Sequence, residues 1–248
     1  NNNHQEILNL LLEQNKFEIG DELFKNCIKL RQISIPSFVT SIGKSAFCAC
    51  SSLIQITIPS SVTSIENSAF ERCSSLTQIK IPSSVTSIGN GAFRGCLSLT
   101  QITIPSSVTL FGEHIFDGIK NLSITGDIHY IPIKFFFGCS KLTQITIPSS
   151  ITSIGSFAFS GCSSLTQITI LSSVISIGNN AFYGCSSLAQ IIIPSSGISI
   201  RNYTLSECLS LQQIMIPSSV TSLGDSAFCG CSSLTQITIP SAVTSIGD

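Results

Sequence analysis

Charge is scarce in this 248-residue chain: 10% of its residues are Asp, Glu, Lys or Arg, and 12 basic side chains face 13 acidic ones. A nucleic-acid binder draws its affinity from clustered Lys and Arg, so that class is excluded. The same balance argues against a polybasic membrane-binding arm. Long apolar runs are also missing. Although 43% of the residues are hydrophobic, Ser, Thr, Gln or Asn interrupts them every few positions. No stretch reaches the ~18 continuous apolar residues of a membrane-spanning helix. The opening Asn1-Asn2-Asn3-His4-Gln5-Glu6 has no basic region, and the apolar run Ile7–Leu12 is short, so this segment is not read as a signal peptide. Histidine is rare. His4, His114 and His129 do not stand with a Ser or Cys and an acid in a nucleophilic arrangement. Acids occur singly, without the paired spacing of acid–base chemistry. The expectation is a non-enzymatic protein without cofactor or metal.

What the chain has in quantity is repetition. Phe24, Phe47, Phe70, Phe93 and Phe116 recur every 23 residues; Phe136 follows after 20, and Phe159, Phe182, Leu205 and Phe228 resume the spacing. Cys27, Cys50, Cys73, Cys96, Cys139, Cys162, Cys185, Cys208 and Cys231 keep the same clock, with Ile119 in the one slot that lacks Cys. A fixed period of this length is the signature of stacked structural repeats. Residues 19–248 read as about ten repeats, one shortened to 20 residues around 117–136. The deletion is placed in Lys120–Gly126, as a lost Thr-Gln-Ile-like triplet before Ile124.

One unit reads Cys162-Ser-Ser-Leu165-Thr-Gln-Ile168-Thr-Ile170, then Leu171-Ser-Ser-Val174-Ile-Ser-Ile177-Gly178-Asn-Asn-Ala181-Phe182. Gln167-Ile168-Thr169-Ile170 alternates outward and inward, the period of a half-buried strand. Pro follows the strand in most units and, lacking an N–H, ends the ladder. Val174 and Ile177 take the chain round a corner, and Gly178 and its counterparts permit a turn. Ala181, Phe182, Cys185 and Leu188 share one face of a short helical turn. One coil cannot bury eight apolar residues; stacked coils can.

Leu53-x-x-Ile56-x-Ile58-Pro59-x-x-Val62-x-x-Ile65, followed by Ala69-Phe70-x-x-Cys73, resembles the BspA-like leucine-rich repeat almost position for position. The resemblance covers about residues 19–248. It implies a right-handed leucine-rich-repeat superhelix with one parallel sheet of short strands and short helical or irregular turns opposite. It also implies a cell-surface or secreted solenoid that recognises or adheres to another protein. An intracellular interaction scaffold of the same fold is the alternative. Ice or surface binding through the Thr and Gln columns is a minor one, spoiled by Lys80, Ile192 and Met215 in the column.

Residues 1–18 are predicted to form an amphipathic helix capping the first coil, and the sequence stops in mid-repeat at Gly247-Asp248. The nine periodic cysteines are expected to be buried, reduced thiols packing as small hydrophobes, since Ile119 serves in their slot. Cys48 and Cys229, one position beyond the Phe, are expected to be accessible. Serines in the turns are expected to bond local backbone. Glu71, Arg94 and Asp117 fall on one solvent-facing stripe, a weak surface ladder.

The outward strand positions are the candidate partner surface. Gln precedes the first inward Ile in nearly every coil, and Thr usually follows it, with Ser34, Lys80, Ile192 or Met215 there instead in four of those coils; Ile192 and Met215 are in neighbouring coils. Adjacent exposed apolar side chains on a polar sheet suit a protein partner. The candidate site is therefore Gln167, Thr169, Gln190, Ile192, Gln213 and Met215. Phe111, Tyr130, Phe135 and Phe137 gather in the shortened coil, where some are expected to fill the volume the deletion leaves. Asn121-Leu-Ser123 and Asn202-Tyr-Thr204 match the glycosylation acceptor, which matters only in a secreted protein.

Overall fold

A computed structural model describes residues 17–196 and 199–248. The predicted capping helix lies almost wholly outside these residues. The chain forms two units, Asn1–Ile119 and Lys120–Asp248. The first carries β1 (Glu18–Ile19), β2 (Gln32–Ser34), β3 (Ser41–Ile42), β4 (Gln55–Thr57), β5 (Ser64–Ile65), β6 (Gln78–Lys80), β7 (Ser87–Ile88), β8 (Gln101–Thr103) and β9 (Leu110–Phe111). The second carries β10 (Asn121–Thr125), β11 (Tyr130–Ile131), β12 (Gln144–Thr146), β13 (Ser153–Ile154), β14 (Gln167–Thr169), β15 (Ser176–Ile177), β16 (Gln190–Ile192), β17 (Gln213–Met215), β18 (Ser222–Leu223), β19 (Gln236–Thr238) and β20 (Ser245–Ile246).

Each unit is a parallel β-solenoid. In the second, β10, β12, β14, β16, β17 and β19 form one sheet in that order. Triplets such as Gln144-Ile145-Thr146 and Gln167-Ile168-Thr169 point out, in and out, because the core-facing residue is every second one. In the first, β2 pairs with β4 and β6 with β8, but β4 and β6 belong to separate ladders. The two-residue strands make a second set of ladders, β1-β3-β5-β7-β9 in the first unit and β11-β13-β15 and β18-β20 in the second. After β16 an isolated bridge from Ile200 to Leu223 takes the second strand's place. Most coils thus hold two strands, where the sequence suggested one. Between them, Val39 N–H donates to Pro36 O (3.1 Å), and Val62, Val85 and Val220 make the same turn.

The core is one residue type per column. Phe24, Phe47, Phe70 and Phe93 stack with centroids 5.1–5.6 Å apart and near-parallel planes in the first unit. Phe136, Phe159 and Phe182 do so at 5.1 and 5.3 Å in the second. All are buried, with Leu205 taking the next rung.

The segment holding these rings is not helical; among the described residues there is no helix. It is a chain of β-turns with two positive-φ residues per coil, four apart, such as Ala49 and Ser45, Arg72 and Ser68, or Gly95 and Gly91. Alternate N–H groups bond within the turn (Cys185 to Phe182 O, 3.2 Å) or to the next coil (Phe159 to Ala181 O, 2.8 Å). An α-helix would spend all of them internally, so stacking wins. The spacing that resembled a helical face is that of this turn chain.

Gly89 shows what its column does. Its φ is not positive, but a Cβ there would stand 2.5 Å from Asn67 N and 2.7 Å from Glu66 C of the preceding coil. Glycine is needed for close approach between coils, not for turn freedom. Positive φ falls instead on Gly95, Gly118, Gly138, Gly161, Gly184 and Gly230, just before the Cys slot.

The shortened repeat is also placed differently. Asn121, Leu122 and Ser123 pair with Gln144, Ile145 and Thr146, so the strand triplet survives. The three missing residues are the Ser-Ser-Leu turn between the Cys slot, Ile119, and the strand. The strand is kept because its backbone bonds the next coil, whereas an outer turn can be cut. Of the added rings, Phe135 is buried, edge-on to Phe136 at 4.8 Å, while Tyr130 and Phe137 are exposed and Lys134 lies 5.8 Å over Phe137.

Candidate recognition surface

The outward face of the second unit's sheet is set by register. Gln167 pairs with Gln190 and Thr169 with Ile192; then Gln190 pairs with Gln213 and Ile192 with Met215. All six residues named from the sequence therefore lie on three consecutive strands, and all are exposed. Ile192 is 67% exposed and Met215 83%. Directly opposed neighbours in a parallel sheet stand about 4.8 Å apart, so the two side chains form one apolar step. Thr169 and Thr238 flank it along the column, and the three Gln amides border it on one side. The arrangement offers desolvation at its centre and hydrogen-bond donors and acceptors at its edge, the composition of a protein-binding patch.

The surroundings are stiff. Hydroxyls that were expected to bond local backbone instead reach the coil before: Ser84 Oγ bonds Val62 O, Ser107 Oγ bonds Val85 O (2.9 Å), and Thr152 Oγ1 bonds His129 O (3.0 Å). The equivalent carbonyl one coil away is nearer than any local one, because the coils repeat in register. An Asn/Asp column does the same along the second-strand edge. Asn67 Oδ1 accepts from Asn90 N–H (2.8 Å), and Asn90 Oδ1 from Glu113 N–H (2.7 Å).

The cysteine column adds bonds too. Cys50, Cys73, Cys96, Cys162, Cys185, Cys208 and Cys231 each donate their thiol to the carbonyl of the Phe slot one coil earlier, at 3.0–3.3 Å. The slot therefore uses a weak donor as well as apolar volume. All eleven cysteines are free. Burial pushes the thiols of Cys50, Cys96 and Cys208 up to about 12. Cys27 and Cys231, at the outer ends of the two units, are only partly buried, so the stripe is less uniform than its spacing suggested. Cys229 is exposed and Cys48 half-buried.

Asn121 is exposed and its Oδ1 accepts from Thr143 Oγ1 at 2.7 Å. Asn202 is engaged at both ends of its amide: Nδ2 donates to Asp225 Oδ2 (2.9 Å) and Oδ1 accepts from Asp225 N–H (3.1 Å). Thr204, the third residue of that acceptor triplet, is buried, its hydroxyl donating to Arg201 O at 2.7 Å. On the charged stripe the contacts run within a coil: Glu71 forms an ion pair with Arg72 (3.8 Å), and His114 Nδ1 lies 3.1 Å from Asp117 Oδ2. Among the described residues no cluster of three or more His, Cys, Asp or Glu could hold a metal. Among them, too, no helix is long and apolar enough to cross a membrane.

Comparison with known proteins agrees with this architecture. The family described as BspA type leucine rich repeat region matches residues 2–123 and 129–248, in six copies. A leucine-rich repeat protein from Bacteroides ovatus is 28% identical, with a TM-score of 0.50 over 92% of this chain and 77% of its own. A leucine rich cell surface protein from Faecalibacterium prausnitzii is 30% identical over 92% of this chain and 82% of its own, with a TM-score of 0.42. A leucine rich repeat protein from T. pallidum is 27% identical over 84% and 79%, with a TM-score of 0.47. No curated protein matches the chain.

Proposed function

Because the chain belongs to the BspA-type leucine-rich-repeat family, we propose that it is a non-enzymatic recognition solenoid whose strand face binds another protein at the cell surface or after secretion. The observation that carries this reading is the Ile192–Met215 step, two large exposed apolar side chains in register on an otherwise polar sheet. A solvated sheet face gains nothing from them unaided; a partner that covers them does. Gln167, Gln190, Gln213 and Thr169 supply the polar rim. The cell-surface description of the F. prausnitzii protein supports the location.

The test replaces Ile192 and Met215 together with Asp. Folding is expected to stay intact, because both side chains point outward, while capture of surface proteins by the purified solenoid is expected to fall. A variant that captures the same proteins as strongly as the parent sinks the proposed site. An intracellular scaffold of the same fold is the second reading, favoured by the eleven free thiols. Surface labelling of intact source cells separates the two.

A further inference from the structure

We propose that the groove over β4, β6 and β8 in the first unit is a binding site for a uronate-type sugar, a pyranose carrying one carboxylate. This site shares no residue with the Ile192–Met215 surface and stands or falls separately.

The groove lies on the outward face at the place where β4 and β6 belong to different ladders. Residues of these three successive coils enclose a concavity of about 640 Å³. That volume falls in the range of ~300–1,000 Å³ typical of small-ligand sites. Its rim is built by repetition. Gln55, Gln78 and Gln101 line it from three successive coils, with Thr57 and Thr103 beside them. Between the two threonines in the column stands Lys80, which pairs in register with Thr103.

Lys80 is the single charged residue in the two outward strand columns, where every other coil has Ser, Thr, Ile or Met. Its side chain is exposed and makes no ion pair among the described residues. One ammonium beside three amides supplies a single charge-assisted contact, which suits one carboxylate. The remaining groups are amides and hydroxyls, each able to donate and accept, which suits the hydroxyl-dense edge of a sugar ring. Pro82 on the wall gives the C–H face of the ring an apolar contact. An acidic peptide would also satisfy the ammonium but has no C–H ring face to lay on Pro82, and the titration separates the two.

The experiment is a titration of the isotope-labelled chain, followed by amide NMR, with digalacturonate, its dimethyl ester and a short Glu-rich peptide. Digalacturonate is expected to shift the main-chain and side-chain amides of Gln55, Gln78 and Gln101 saturably. The ester, whose methylated carboxyls carry no charge, is expected to bind at least about tenfold more weakly, the worth of one charge-assisted contact. Lys80→Thr restores the residue of the neighbouring coils, so the fold is retained; it is expected to lose the same factor, while Lys80→Arg keeps binding. A thermal melt of each variant confirms folding. Equal binding of the ester, unchanged affinity in Lys80→Thr, no shifts at all, or shifts with the peptide alone would each overturn the proposal.

Discussion

Truncating one ring of the internal stack is the sharpest probe of the fold. Phe182 is fully buried, 5.3 Å from Phe159 with planes 4° apart. Its coil is held open by main-chain bonds, Phe182 N–H to Thr204 O at 3.0 Å and Phe159 N–H to Ala181 O at 2.8 Å. The slot therefore cannot collapse when the ring is removed. Phe182→Ala should cost about 3–5 kcal/mol, the range for a buried Phe whose cavity persists. Phe182→Leu should cost only ~1–2 kcal/mol, since Leu keeps most of the volume and Leu205 fills the next rung fully buried. Ser186→Ala removes one hydroxyl bond of 3.3 Å to Ser163 O, at the solvent edge, and should cost at most ~0.5 kcal/mol. Urea unfolding followed by circular dichroism, with midpoint and slope fitted for each variant, ranks the three. If Phe182→Ala and Ser186→Ala melt alike, the register is wrong. If Phe182→Leu is as damaging as Phe182→Ala, the column depends on aromatic stacking rather than on volume.

A thiol reagent on the native protein should label Cys229 first, with the partly buried Cys27, Cys48 and Cys231 slower; Cys50, Cys73, Cys96, Cys139, Cys162, Cys185 and Cys208 should react only after unfolding without reductant. Failure of those seven to appear on unfolding would reveal disulfides. Burial raises the folded-state values of Cys50, Cys96 and Cys208 from 9.0 to about 12. Their neutral form favours the fold fully below pH 9, so stability should fall as pH rises from 9 towards 12; a melting temperature that is flat from pH 8 to 11 contradicts this. Gly89→Ala should cost about 1–3 kcal/mol through the backbone clash with the preceding coil, and Gly184→Ala about 1–2 kcal/mol through its φ of +69°. A Gly89→Ala variant as stable as the parent would show that the coils have room to spare, and the same result for Gly184→Ala would show that its left-handed backbone costs nothing.

The columns were legible because the same residue recurs at one period, so Phe24 through Phe228 announce a stack and Thr169, Ile192 and Met215 announce neighbours. The turn chain was not, since Ala181, Phe182, Cys185 and Leu188 have helical spacing. What defeats the helix is hydrogen bonding from Phe182 and its like to the next coil, a partner that no local pattern displays. Glycine misled for the same reason. Gly89 looks like a turn residue, and only stacking reveals Asn67 against it. The Gly column before the Cys slot, at Gly138, Gly161 and Gly184, was a signal available in the sequence that points to positive φ. In the short repeat, Lys120-Asn121-Leu122-Ser123 differs enough from Thr-Gln-Ile-Thr to hide an intact strand. The groove at Lys80 depends on how three successive coils stack, and the substitution of Lys for Thr was its one visible trace.

The central claim is that the outward strand face of the second unit meets a protein partner. The direct measurement is site-specific photocrosslinking on intact source cells, with the photoreactive residue at position 192 in one variant and at position 175 in the other. Ile192 and Ile175 are both large, apolar and exposed, at 67% and 63%, but Ile192 lies in the β16 strand of the Gln-bearing sheet, whereas Ile175 precedes the β15 strand of the second ladder. The account predicts a discrete crosslinked protein from position 192, lost when Met215 is also changed to Asp, and none from position 175. Crosslinks of equal yield from both positions, or from position 175 alone, would contradict it.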